Sequence, residues 1–173
     1  MGFLEKRMIH ECVFAWKAGT LIKEKGKYIP REKNGKYING YGREIDKKEL
    51  HSYLDRVSNK KIDLEEEFYT IYGDLFKLAP PKHFGAVYMI NLLFFLSGSE
   101  WPIYDKFAHK AAKALFIHKE PNEIYVGEAP AKDKINDVVN MYSEYIWLLE
   151  KLFGHKSIKR KTDRALWVYG HTT

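Results

Sequence analysis

Asp105 is the residue of this sequence whose type and setting best suit chemistry. It ends the segment Trp101-Pro-Ile-Tyr-Asp105, a Pro-x-x-Asp entry into a lysine-rich stretch that begins at Lys106. A carboxylate held at the start of a helix could stabilise a developing positive charge or activate an attacking group. The same position predicts a helix N-cap, in which the carboxylate accepts hydrogen bonds from free backbone amides. The two roles are compatible, and the sequence leaves both open.

The stretch around Asp105 resembles the helix-hairpin-helix DNA glycosylases of the base-excision superfamily. It reads as a buried helix over residues 84–96, a short Ser97-Gly-Ser99 turn, and the Pro-x-x-Asp entry into a basic helix. The resemblance covers about 35 residues of the chain. It implies that Asp105 takes the place of the family's essential aspartate and assists cleavage of the bond between sugar and base.

The sequence departs from that family in two places. The family's hairpin loop is rich in glycine, whereas Leu78–Gly85 holds a single glycine, so its amides approach a phosphate less openly. Bifunctional members have a lysine about nineteen residues before the aspartate, a position that falls near Ala86 here. The nearest lysine, Lys82, precedes the buried helix, which argues against Schiff-base chemistry. The resemblance therefore implies a monofunctional or catalytically degenerate glycosylase.

The resemblance also implies a nucleic-acid partner, with DNA as the expected one. Trp101 and Tyr104 are the predicted stacking partners of a base that leaves the duplex. Contacts to the sugar-phosphate backbone are predicted for residues of the hairpin loop, of the basic helix after Asp105 and of a basic run near the C-terminus. These residues are Lys82, Gly85, Lys106, Lys110, Lys113, Lys159, Arg160, Lys161 and Arg164. In the same C-terminal segment, Trp167 is expected to pack in the core.

Charge is segregated along the chain. The formal net charge is +6. Residues 17–61 carry 13 Lys/Arg against 6 Asp/Glu, residues 151–164 carry 6 against 1, and residues 120–150 carry 2 against 7. Basic patches on a folded domain suit a phosphate-bearing partner, but a solvated, lysine-rich surface explains the same counts equally well.

Other kinds of site find no support in the sequence. The seven histidines are scattered, without a His-Glu-x-x-His or Cys/His cluster, so we predict no metal site. His109 follows Asp105 by four residues, a spacing that predicts a surface ion pair more often than a set of metal ligands. There is no P-loop, no dinucleotide fingerprint and no Gly-x-Ser-x-Gly elbow, and we predict no cofactor.

The composition predicts a globular protein of the cytoplasm. Hydrophobic residues make up 45% and charged residues 30% of 173 residues, enough for one domain with a substantial core. The single cysteine, Cys12, excludes a disulfide scaffold and is expected to be a buried, inert thiol. No stretch resembles a signal peptide, and the longest apolar run, residues 85–96, is too short to span a bilayer. We expect no membrane partner, and the oligomeric state is left open.

The elements that would position these residues are mainly α-helical. We predict a single multi-helix domain over residues 1–173 that resembles the helix-hairpin-helix glycosylase fold. A first helix is expected over Leu4–Ala18, followed by a small basic β-hairpin or meander inserted at residues 20–45, with Asn34-Gly35 as its turn signal. The helical body then covers residues 46–170.

Within that body, capping boxes predict helices that open at Asp46 and Asp63. The run Ala86–Leu96 is apolar on nearly every side and is predicted to be the most buried helix. Further helices are predicted from the sequence signals that follow it. They begin near Trp101, run over Lys132–Phe153 and begin again at Ser157.

Three functions are consistent with these sequence features and stay open. The first is a glycosylase-like enzyme in which Asp105 acts on a flipped base. The second is a DNA-binding module that keeps the fold without the chemistry, which the absence of a lysine near Ala86 favours. The third is a helical protein of the stress or phage response that acts through protein contacts. Only the charge segregation separates the second from the third.

Overall fold

The computed structural model describes residues 21–38 and 43–172, in which two small antiparallel sheets precede a helical body. The strands are β1 (Leu21–Glu24), β2 (Lys27–Pro30), β3 (Glu32–Lys33), β4 (Lys36–Ile38) and β5 (Glu44–Asp46). The helices are α1 (Lys47–Asn59), α2 (Phe68–Lys77), α3 (Ala86–Leu96), α4 (Lys106–Phe116), α5 (Ile135–Phe153) and α6 (Arg160–Gly170), with a 3-10 turn at Pro121–Glu123 between α4 and α5. The mainly helical character and the basic strands near the N-terminus are confirmed. The predicted helix Leu4–Ala18 and Cys12 lie outside the described residues, and the glycosylase fold stays a prediction.

The strands form two hairpins, and the second one continues into β5. In the register, β1 pairs with β2 and the order of the second sheet is β3-β4-β5. Asn34 and Gly35 both have positive φ, as a two-residue turn of the mirror-image type requires, so the predicted Asn-Gly turn is confirmed. Lys25 and Gly26 make the same kind of turn between β1 and β2. The second sheet is anchored by Tyr37, which is buried opposite the equally buried Ile45.

One of the two helix starts predicted from a capping box is confirmed. The Asp46 carboxylate accepts from the Glu49 amide at 2.9 Å and opens α1 as predicted. The Asp63 prediction is wrong, because α2 begins only at Phe68 and the Asp63 carboxylate accepts from the Glu65 amide instead. The indole of Trp101 donates to the Leu64 carbonyl at 3.2 Å. In a helix that began earlier, this carbonyl would accept from a backbone amide of the helix instead.

Helix α3 lies at the centre of the body. Six of its eleven residues are buried, a larger share than in any other described helix, which confirms the prediction for Ala86–Leu96. Its one buried polar side chain, Asn91, bonds through both its nitrogen and its oxygen: the nitrogen donates to the Tyr104 carbonyl at 3.2 Å, and the oxygen accepts from the Tyr104 backbone amide at 2.8 Å. This pair of bonds attaches the segment before α4 to the core.

The helix predicted to begin near Trp101 begins five residues later. Residues 101–105 are extended, and α4 starts at Lys106. Helices α4 and α6 then pack against each other more extensively than any other described pair of elements. They approach so closely at Gly170 that an added Cβ would overlap the Phe107 carbonyl. Helix α5 ends at Phe153, the predicted end, and Gly154 follows as a left-handed C-cap. No helix within residues 21–38 and 43–172 has the length and apolarity to cross a bilayer.

Candidate functional site

The extended segment Trp101–Asp105 carries the predicted site residues and is held in place along its length. Trp101, Pro102, Ile103 and Tyr104 are all buried. Besides the bonds from Asn91, the Tyr142 hydroxyl donates to the Pro102 carbonyl at 2.6 Å. Because both backbone and side chains are fixed, the residue that follows, Asp105, has a defined position.

Asp105 is the N-cap of α4. Its backbone is extended, with φ −139°, and its carboxylate accepts from the Phe107 amide at 2.9 Å. The side chain is half-buried. The capping role predicted for Asp105 is therefore confirmed, and the catalytic role stays a prediction.

A cleft of about 850 Å³ lies beside this segment. Its walls are the start of α3, the segment Glu128–Lys132, and Tyr104 with Lys106 on either side of Asp105 in the chain. It contains three cations, Arg43, Lys106 and Lys132, and one carboxylate, Glu128. The full lining is Arg43, Gly85, Ala86, Val87, Tyr88, Tyr104, Lys106, Glu128, Ala129, Pro130, Ala131 and Lys132. We call this the larger cleft.

The loop that leads into α3 is fixed by cations bound to its carbonyls. Arg56 donates to the carbonyls of Leu78 and Ala79 at 3.1 and 3.2 Å. The Lys132 ammonium donates to the next three carbonyls, those of residues 80–82. Partial burial lowers the pKa of Lys132, and the carbonyl oxygens satisfy its charged form. Five successive carbonyls thus accept hydrogen bonds from protein cations. The loop that carries them ends at Gly85, in the wall of the larger cleft.

The eight cations among the predicted nucleic-acid contacts fall into two groups. Three of the side chains are ion-paired: Lys106 with Glu128, Lys113 with Glu144 at 2.7 Å, and Arg160 with Asp163. The other cations have no side-chain partner among the residues that the structure describes. They are Lys82, Lys110, Lys159, Lys161 and Arg164.

Two of the predicted C-terminal contacts, Lys159 and Arg160, line another cleft of about 230 Å³ together with Pro102 and Ile103. The larger cleft includes Tyr104 and Lys106. The two clefts therefore border neighbouring parts of one stretch of the chain, residues 102–106.

The two predicted stacking residues are part of the core. Trp101 is 5% exposed, packs on Tyr142 and has the Lys156 ammonium 3.7 Å from its ring centroid. Tyr104 is 1% exposed and lies edge-on to Tyr145. Stacking of either ring on a base stays a prediction that requires movement of this core. Trp167, expected in the core, is 45% exposed and contacts His171 on the surface, so that expectation is wrong.

A smaller cleft of about 220 Å³ contains a site that the sequence did not predict. It is lined by His109, Lys113, Tyr125, Val126, Gly127, Glu128, Pro130, Met141 and Glu144. His109 was expected to pair with Asp105 at the surface. Instead it is 1% exposed, and its nearest charged partner is Glu144 of α5, with 3.4 Å between Nε2 and the carboxylate oxygen. The four-residue spacing of Asp105 and His109 gives no information about which residues of α5 pack beside His109.

Two polar atoms in this region are buried without a hydrogen-bond partner within the described residues: Nε2 of His109 and the hydroxyl of Tyr145. On its other side, the His109 ring shares a hydrogen bond between Nδ1 and the Tyr104 hydroxyl at 3.3 Å. Because a carboxylate only accepts, the proton of the neutral ring is favoured on Nε2, which faces Glu144, and Nδ1 then accepts from Tyr104.

Burial lowers the pKa of His109 to about 4, against the opposing effect of Glu144 and with a smaller contribution from Lys113. The ring is therefore neutral at physiological pH. Burial also raises the pKa of the Tyr104 and Tyr145 hydroxyls, which keeps both protonated.

Across residues 21–38 and 43–172, no group of three or more His, Cys, Asp or Glu side chains could hold a metal ion. The chain matches no family model, no curated protein and no solved structure. The geometry of these clefts is therefore the guide to its function.

Proposed function

We propose that this chain binds nucleic acid along the segment Trp101–Asp105 and that Asp105 is its candidate catalytic group. The observation that carries the proposal is the juxtaposition in the larger cleft. Gly85, Tyr104 and Lys106 line the same cavity, although Gly85 is separated from the other two by the whole of α3. The sequence predicted all three as parts of one nucleic-acid site.

The charge of the larger cleft suits a phosphate backbone. Three cations against one carboxylate line it. Lys82, which has no side-chain partner within the described part of the chain, lies three residues before Gly85 on the same loop. Cations at such a surface attract a polyanion and release its condensed counterions on binding.

We propose that the chain is either a monofunctional glycosylase, which releases the base without a lysine nucleophile, or a glycosylase-like protein that has lost catalysis. Ala86, the position that corresponds to the lysine of bifunctional glycosylases, lies in the wall of the larger cleft and is buried. The two lysines that do line the cleft are engaged: Lys106 with Glu128, and Lys132 with carbonyls of the loop. No free amine is therefore present at the position where bifunctional glycosylases have their lysine. The alternative catalyst is a carboxylate that acts on the sugar.

The proposal is tested by fluorescence anisotropy with labelled duplex and single-stranded DNA. We expect measurable binding at low salt and a steep, linear decrease of log affinity with log salt between about 50 and 200 mM. A Lys82→Gln/Lys110→Gln variant should bind more weakly and with a shallower slope. The matched control, Lys77→Gln/Lys119→Gln, removes the same charge elsewhere and should bind as the wild type does.

Two outcomes would overturn the proposal. One is undetectable binding to either form of DNA at the lowest salt tested. The other is an equal loss of affinity in the variant and in its control, which would mean that only net charge matters.

One observation favours a second candidate, a protein-interaction module. Phe116 and Trp147 are 39% and 44% exposed and pack edge-to-face at 4.8 Å between their ring centroids. Leu115 and Ile117 beside them are exposed as well. An apolar surface of this kind is typical of contact sites between proteins.

A further inference from the structure

We propose that the smaller cleft binds one unpaired nucleobase, with Tyr125 stacking on its ring and His109 and Glu144 bonding to its edge. This inference rests on the proposed function, because it assigns the base-recognition part of the same nucleic-acid site. It moves that role from Trp101 and Tyr104, which are packed in the core, to residues of α4, α5 and the loop before α5.

The strongest support is a buried polar atom without a partner in the described part of the chain, Nε2 of His109, on a residue that lines the cleft. Nε2 of His109 and the Tyr145 hydroxyl have no hydrogen bond within the described residues, although both residues are at least 99% buried. The two rings are neighbours, with centroids 5.5 Å apart. Nearly all buried polar groups of folded proteins are hydrogen-bonded, so an unpaired one on a residue that lines a cleft indicates a partner that binds there.

The hydrogen-bonding groups of the cleft alternate in character. Nε2 of His109 carries a proton and can donate, whereas the Glu144 carboxylate, with an oxygen 3.4 Å from Nε2, accepts. The charges are balanced, since Glu144 pairs with Lys113 and Glu128 pairs with Lys106. A neutral ring with adjacent donors and acceptors on its edge, as in a nucleobase, complements this arrangement better than a charged ligand does.

The size and the rim of the cleft suit a single heterocycle. Its volume of about 220 Å³ is below the range of pockets that hold drug-sized ligands. Tyr125 lines it and is 86% exposed, which leaves its ring available for stacking at little cost in desolvation. Stacking of bases on exposed aromatic side chains is a general way to hold unpaired nucleotides.

The smaller cleft also adjoins the proposed backbone site. Glu128 and Pro130 line both cavities, so the loop segment 128–130 separates them. A strand whose phosphates lie at the larger cleft can place a neighbouring base across this segment. Because the two clefts adjoin, we infer that the occupant is a base of the bound nucleic acid and not a free metabolite.

The test compares three labelled duplexes of one sequence: fully paired, with one bulged nucleotide, and with an abasic analogue at the bulge. We expect wild-type protein to bind the bulged nucleotide more tightly than the abasic analogue. Tyr125→Ala should reduce that preference by about 5- to 150-fold, the range for loss of one base stack, and leave binding to the paired duplex unchanged. Tyr69→Ala, which removes an equally sized ring that is 53% exposed on α2, is the control and should change nothing.

A second variant tests the edge contacts. With each of the four bases at the bulge, Glu144→Gln should change the order of their affinities, because an acceptor becomes a mixed donor and acceptor. Equal affinity of wild type for the bulged and abasic duplexes would overturn the inference while duplex binding still supports the proposed function. A preference that survives in both variants would also overturn it, and loss of all DNA binding would overturn both proposals together.

Discussion

At the scale of single residues, Asp105 combines a structural role with a candidate catalytic one. Its position as N-cap could be predicted from the sequence, because the Pro-x-x-Asp pattern precedes an amphipathic run. The role of His109 could not be predicted. Its spacing from Asp105 fits a surface pair, and only the packing of α5 decides that it is buried beside Glu144.

Asp105→Asn separates the two roles of this residue. Asparagine caps helices nearly as well as aspartate, so we expect the free energy of unfolding to change by less than about 1 kcal/mol. If Asp105 assists cleavage of the sugar–base bond, base release should be abolished because the negative charge is lost. The measurements are urea unfolding and release of damaged bases from duplex DNA, detected by alkaline cleavage of the strand at the abasic sites. Base release at the wild-type rate would assign Asp105 to capping alone.

The buried His109 predicts a loss of stability in mild acid. Its pKa is lowered to about 4 in the folded chain, whereas an unfolded histidine titrates near the ordinary value of about 6.5. Between these values the unfolded chain binds the additional proton. Stability is therefore full above about pH 6.5 and falls as the pH decreases towards 4, by at most about 3 kcal/mol from this residue.

Urea unfolding at pH 7.5 and at pH 4.5 measures this loss. His109→Gln removes the titrating group, and the difference in unfolding free energy between the two pH values should shrink. His83→Gln, a change at an exposed histidine, is the control and should keep the wild-type difference. An unchanged difference in His109→Gln would show that other groups cause the acid sensitivity.

At the scale of elements, periodicity and turn residues predicted most of the helices and the hairpin turn. The misplaced starts have tertiary causes. The start of α2 is displaced where Trp101 binds the Leu64 carbonyl, and the segment before α4 is extended because Asn91 binds both backbone groups of Tyr104. Neither bond has a local signal, since the partners are 37 and 13 residues apart.

The close crossing of α4 and α6 was likewise not predicted, although its glycine is visible in the sequence. We expect Gly170→Ala to destabilise the protein by about 3 kcal/mol or more, because the new Cβ would overlap backbone atoms of Phe107 and the helices must separate. Gly73→Ala in α2 is the matched control. Nothing lies within 4 Å of its Cβ position, and alanine in a helix gains about 0.5–1 kcal/mol over glycine. Urea midpoints compare the two, and equal effects would contradict a tight crossing at Gly170.

At the scale of the whole molecule, the sequence predicted segregated charge but not which cations are engaged. Lys106, Lys113 and Arg160 are paired with carboxylates, while Lys159, Lys161 and Arg164 have no side-chain partner among the described residues. Lys159 and Lys161 lie in the first turn of α6, where the positive end of the helix dipole disfavours cations, and Arg164 follows one turn later. Cations at this position cost stability, a cost that the proposed nucleic-acid partner would offset.

Replacing Lys159, Lys161 and Arg164 together by glutamine tests this explanation. Removing cations from the start of a helix should leave stability unchanged or raise it by up to about 1 kcal/mol per residue. If the three side chains neutralise phosphates, the slope of log affinity against log salt should decrease by up to about 0.9 for each of them. The control replaces Lys77, Lys119 and Lys134, which are also exposed, and should leave that slope unchanged. A wild-type slope in the first variant would separate this basic run from the nucleic-acid surface and confine the proposed contacts to the larger cleft.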